Sequence, residues 1–125
     1  MPAKTFLQIA GVFAALAVLL GAFGAHGLKA KITPEMLAVY QTAVQYHMWH
    51  ALGLAVVALT LLRWPQLNLL RWSGWLMILG IVLFSGSLYA LALSDIKMFG
   101  AVTPLGGLAF IAAWLVFTVA IRKAN

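Results

Sequence analysis

The chain has no cysteine, and only two of its 125 residues, Glu35 and Asp95, are acidic. Without cysteine there can be no disulfide, no thiolate metal site and no thiol-based electron transfer. Charge is scarce altogether, at 8% of residues, where a soluble domain carries about a quarter. Too little polar surface remains to face water. What fills the space is apolar: 65% of residues are hydrophobic and the mean hydropathy is +1.04. These figures predict an integral membrane protein. Each helical crossing takes about 20 residues, so the length allows one domain with at most four spans.

Four apolar stretches are separated by the only clusters of charge. They cover about residues 6–25, 46–64, 72–94 and 104–121, within a single domain of residues 1–125. The first stretch competes with a secretory signal peptide, since Lys4 precedes it and small residues surround Phe23. It is longer than the apolar core of such signals, and three similar stretches follow, so it is read as an uncleaved first span.

The bases set the orientation. Lys4, Arg63, Arg71, Arg122 and Lys123 fall on one side, and Lys29, Lys31 and Lys97 on the other, together with both acids. Basic flanks stay in the cytoplasm, so both termini are expected inside, in a bacterial inner membrane. The net charge of +6 then reflects topology and lipid headgroup contact, with no nucleic acid partner.

Both outer loops end in Thr-Pro, at Thr33-Pro34 and Thr103-Pro104. Threonine suits a helix N-cap and proline the first helical position. Glu35 would then meet the positive end of the helix dipole. The polar segment from Pro34 to His47 reads as an interfacial stretch or an outer extension of the second helix. The paired starts also suggest two parallel helical hairpins. Tyr46, Trp49, Trp64, Trp72 and Trp75 sit near span ends, as an aromatic belt requires.

Several strings together carry a family resemblance: Gly21-Ala22-Phe23-Gly24-Ala25-His26-Gly27, Tyr40 to His47 with His50, Phe84-Ser85-Gly86-Ser87, and Thr103-Pro104-Leu105-Gly106-Gly107. In order and spacing the chain resembles the uncharacterised small inner-membrane proteins of the YgdD and YwdK type, a group that also includes a eukaryotic small transmembrane protein. The resemblance implies a four-helix membrane protein with no assigned biochemical activity.

No Asp, Glu, Lys or Arg lies in the middle of any span, which argues against ion-coupled transport, where a midplane group must bind and release the ion. His47 and His50 share a helix face, and His26 ends the first span on the same outer side. With methionine and carboxylate nearby, these three form the candidate metal or small-ligand site. Structural hydrogen bonding is the favoured reading of the same residues. Ser85-Gly86-Ser87 invites comparison with intramembrane serine hydrolases, which would need His50 as base; helix packing is the simpler account. Small residues at helical spacing, Gly11, Ala17, Gly21, Gly24, Ala25, Gly86 and Ala90, are assigned to close helix contact.

The sequence thus predicts an all-α, four-helix membrane bundle with no cofactor. Its expected role is non-enzymatic: a packing or accessory module that assembles with itself, with membrane lipid or with a larger membrane complex.

Overall fold

The computed structural model describes residues 1–125, and every regular element in it is helical. Helix α1 (Ala3–Phe23) runs on through a π-helical turn at Gly24–Leu28; α2 covers Pro34–Arg63. Helices α3 (Asn68–Gly80) and α4 (Gly86–Ser94) are joined without a break by a second π turn at Ile81–Ser85. A 3-10 turn at Lys97–Ala101 leads into α5 (Thr103–Arg122). Joined in this way they make four helices long and apolar enough to cross a membrane: Ala3–Leu28, Pro34–Arg63, Asn68–Ser94 and Lys97–Arg122.

The helices outrun the apolar stretches because backbone hydrogen bonding continues wherever no residue breaks it, whereas hydropathy marks only the part that sits in hydrocarbon. The second span shows this best. Of the two readings of Pro34 to His47, the structure shows the outer extension of the second helix: the segment is the first half of one continuous 30-residue helix. At helical rise α2 is about 45 Å long, well beyond a hydrocarbon core of ~30 Å.

The two Thr-Pro starts differ. The Thr33 hydroxyl caps α2 by accepting a hydrogen bond from the Met36 amide at 3.1 Å, with Glu35 in the first turn. Thr103 caps nothing: the residue before it holds the cap position, and its hydroxyl pairs with Ser87 at 2.6 Å. The symmetry suggested by the dipeptides is therefore absent from the capping geometry. Between these starts, α4 ends at Asp95, which adopts a left-handed conformation (φ 59°) and donates its amide to the Leu91 carbonyl at 2.7 Å. Aspartate tolerates that conformation better than most residues.

Helix α2 forms the centre and α1 the least covered wall: 44% of the second span's apolar window is buried and only 17% of the first's. The main core lies toward the basic end, where Phe6, Ala10, Leu54, Leu61, Leu70 and Met77 pack together with Ala113 and Ala120. A smaller cluster of Leu28, Tyr40 and Ala92 closes the opposite end. Both termini reach the basic end. There the Trp64 indole donates to the Asn125 carbonyl at 3.0 Å, and Met1 borders the start of α3.

Glycine sets the closest helix approaches, at positions other than those assigned from sequence. A Cβ on Gly106 would strike the backbone of Phe84, and one on Gly80 the ring of Phe110, so α5 lies hard against the π turn of the third span. Of the assigned packing residues, Ala17 and Gly24 are buried inside the chain, Gly24 beneath the Tyr40 ring. Gly21 meets Val44. Gly11 and Gly86 face open space, Ala25 is exposed and Ala90 half-buried.

Candidate functional site

Between the two apolar clusters lies a layer of polar and aromatic side chains contributed by all four spans. His47 and His50, three residues apart on α2, both point inward and are buried. His50 is fully engaged. Its Nδ1–H donates to the Tyr46 carbonyl at 2.9 Å, and its Nε2 accepts from the Trp114 indole at 3.1 Å. Because Nε2 accepts, the proton sits on Nδ1 and the ring is neutral. Phe110 stacks on it at a centroid distance of 3.6 Å. Tyr46, placed near a span end by sequence, also joins this aromatic cluster against Phe84 and His50. The outward extension of α2 moves Tyr46 away from any helix end and into the layer.

His47 is held by a bond of 2.9 Å between its Nδ1 and the Tyr89 hydroxyl, while Phe13 packs edge-on against its ring. Its Nε2 is the one buried side-chain nitrogen or oxygen without a hydrogen-bond partner. Tyr89 packs in turn on Tyr40, whose hydroxyl donates to the Leu20 carbonyl at 2.5 Å, where α1 widens into its π turn. Tyr40, Tyr89 and His47 thereby join the first three spans.

The serines complete the layer. The Ser85 hydroxyl donates across to the Ala43 carbonyl at 2.8 Å. The Ser87 hydroxyl donates to the Phe84 carbonyl at 3.0 Å and accepts from Thr103 at 2.6 Å. Nearer the basic end, Ser73 donates to the Ala113 carbonyl at 2.8 Å. Small hydroxyl residues of this kind can bond to a neighbouring helix without holding it away.

The structure gives the three histidines of the candidate ligand site different environments. His47 and His50 are committed to different partners, and His26 is exposed on the π turn that follows α1. No three His, Asp or Glu side chains come together as a metal-holding group. Nor do Ser85 and His50 pair, since each bonds elsewhere.

The sequence reading passed over Trp114 and Tyr89. Their signal was position: an indole or phenol in the middle of an apolar span brings a donor that needs an acceptor nearby.

Fold and site together define an all-α membrane protein of four spans, whose buried polar groups tie helix to helix. Residues 20–107 match the model of DUF423, a protein family of unknown function. The chain is 52% identical over 120 residues to the UPF0382 membrane protein YwdK of Bacillus subtilis, covering 96% of this chain and 98% of that one. Similar proteins from Staphylococcus epidermidis and Staphylococcus haemolyticus, also named UPF0382 membrane proteins, are 44% and 43% identical over 96% of this chain and 97% of theirs. The chain belongs to this DUF423 family of membrane proteins. No solved structure matches it.

Proposed function

We propose that the protein is a non-enzymatic helix-packing module of the bacterial inner membrane, oriented with both termini in the cytoplasm, that assembles with copies of itself or within a larger membrane complex. The observation that carries this reading is a cleft of about 530 Å³ between the outer ends of the first two spans. Gly21, Gly24 and Ala25 form one wall, and Ala38, Gln41 and Gln45 the other. Both glutamines are exposed, and neither amide has a partner within the chain.

Gln45 lies about 27 Å along α2 from Arg63 at helical rise, near the outer edge of a hydrocarbon core of ~30 Å. An amide there gains by bonding to another helix. The small flank of α1 lets such a helix come close. Gly11, Ala15, Ala22 and Ala25 lie along that flank around the exposed Val18, while Val12, Leu16, Leu19 and Phe23 form the adjoining face. The buried polar groups support the same reading, because all but one of them are already bonded within the bundle.

Native mass spectrometry from lipid nanodiscs tests it. A defined oligomer is expected for the native chain and its loss for Ala25→Leu with Gln45→Leu, both exposed changes that leave the core intact. A monomer throughout, with no co-purifying membrane partner, would refute it.

A further inference from the structure

We propose that the cleft between the first residues of the chain and the start of α3 holds the headgroup of an anionic phospholipid. The cleft measures about 500 Å³ and is lined by Met1, Asn68, Arg71, Trp72 and Trp75. It opens at the basic end of the bundle, where Lys4, Arg63, Arg122 and Lys123 also lie. Both acids are at the other end: Glu35 in the first turn of α2, and Asp95 beyond α4, bonded to Lys97 at 3.1 Å. No carboxylate side chain is available to neutralise Arg71.

Arg71 is aimed rather than loose. One guanidinium nitrogen, Nη1, donates to the Pro65 carbonyl at 3.0 Å and to Asn68 Oδ1 at 3.2 Å. The other two nitrogens, Nη2 and Nε, have no acceptor in the protein. A guanidinium fixed on one side and free on the other suits a phosphodiester, whose two oxygens it can engage together. The placement also runs against local helix electrostatics. A cation in the first turn of a helix faces the positive end of the dipole, and α3 has neither an acid in that turn nor a side-chain cap to offset it. An anion in the cleft would relieve both.

The apolar surroundings select a lipid over a free phosphate. Trp72 and Trp75 are 64% and 45% exposed, and Phe6 steadies Trp75 edge-on at 5.9 Å. Continuing at helical spacing, Leu79 and Val82 are exposed on the same face. The cleft therefore opens onto an apolar ridge descending into the hydrocarbon, along which an acyl chain can lie. Indole rings are at home at this headgroup level.

The test is native mass spectrometry of the intact protein from nanodiscs holding equal phosphatidylglycerol and phosphatidylcholine. The native chain should retain phosphatidylglycerol about tenfold over phosphatidylcholine, equivalent to about 1.4 kcal/mol. Arg71→Gln should abolish the preference, and Trp72→Ala, which spares the hydrogen bonds of Arg71, should reduce it. Arg122→Gln removes the same charge outside the cleft and should leave the preference in place. Equal retention of the two lipids would overturn the proposal, as would equal losses in Arg71→Gln and Arg122→Gln, which would mean a diffuse field. Displacement by millimolar inorganic phosphate would overturn the lipid assignment in favour of a free anion.

Discussion

The imidazole of His50 and the indole of Trp114, 64 residues apart in sequence, are joined by a hydrogen bond of 3.1 Å that ties the second span to the fourth. The indole needs an acceptor in an apolar setting, and the histidine supplies a lone pair only because its other nitrogen donates to Tyr46. One bond thereby fixes a tautomer, a rotamer and the spacing of two helices. The same economy recurs at Ser85 with Ala43, Ser73 with Ala113, and Tyr40 with Leu20. Polar chemistry in this bundle is directed at neighbouring helices.

Replacing His50 should therefore destabilise the bundle. His50→Ala removes the acceptor of Trp114 and the ring stacked on Phe110, a combined loss of roughly 2–4 kcal/mol. Trp114→Phe, which removes the donor together with part of the ring, should cost less. Thermal unfolding in mild detergent should rank the native chain above Trp114→Phe and Trp114→Phe above His50→Ala. A His50→Ala variant as stable as the native protein would show that the layer does not hold the spans together.

Glycine substitutions should divide by environment. Gly106→Ala forces a methyl group into the Phe84 backbone, which cannot yield as a flexible side chain would. A loss of about 3 kcal/mol, or failure to fold, is expected. A Cβ on Gly86 would have nothing within 4 Å, so Gly86→Ala should leave the unfolding temperature unchanged or raise it, since alanine is the better helix former. Equal effects at the two sites would contradict the close approach of α5 to the third span.

The two threonines that precede proline should respond differently. Thr33→Ala removes the bond to the Met36 amide and should cost about 1 kcal/mol, seen as faster hydrogen exchange in the first turn of α2. Thr103→Val breaks the pairing with Ser87 at a cost of about 0.6 kcal/mol. It should lower overall stability without accelerating exchange at the start of α5. Matching exchange patterns would restore the symmetric capping that the dipeptides suggest.

The contrast shows what the sequence could reveal. Four spans were legible because burial in lipid demands long apolar runs, and the charges between them mark the ends. Thr33 was legible as a cap because capping is local. Thr103 was not, because its partner Ser87 is supplied by another span and depends on how α4 and α5 meet. Gly80 and Gly106 were not assigned to packing for the same reason: the aromatic and backbone groups they accommodate are close only after folding. His47 and His50 were found from their spacing, while the partners that define their roles, Tyr89 and Trp114, come from distant spans. Arg71 was legible as a topology signal, and its free nitrogens only as geometry.

The serines provide the sharpest test of a non-enzymatic role. A serine nucleophile needs a base that accepts its proton. Here the Ser85 hydroxyl donates to a backbone carbonyl of α2, that of Ser87 donates to the Phe84 carbonyl, and both nitrogens of His50 are engaged. A fluorophosphonate probe applied to the protein in nanodiscs should label neither serine. Ser85→Ala should cost about 1 kcal/mol of stability through the lost bond to Ala43 and leave the fold in place. Covalent labelling at Ser85 that disappears in both Ser85→Ala and His50→Phe would require the helices to rearrange so that the two side chains meet, and would replace the packing module with a hydrolase.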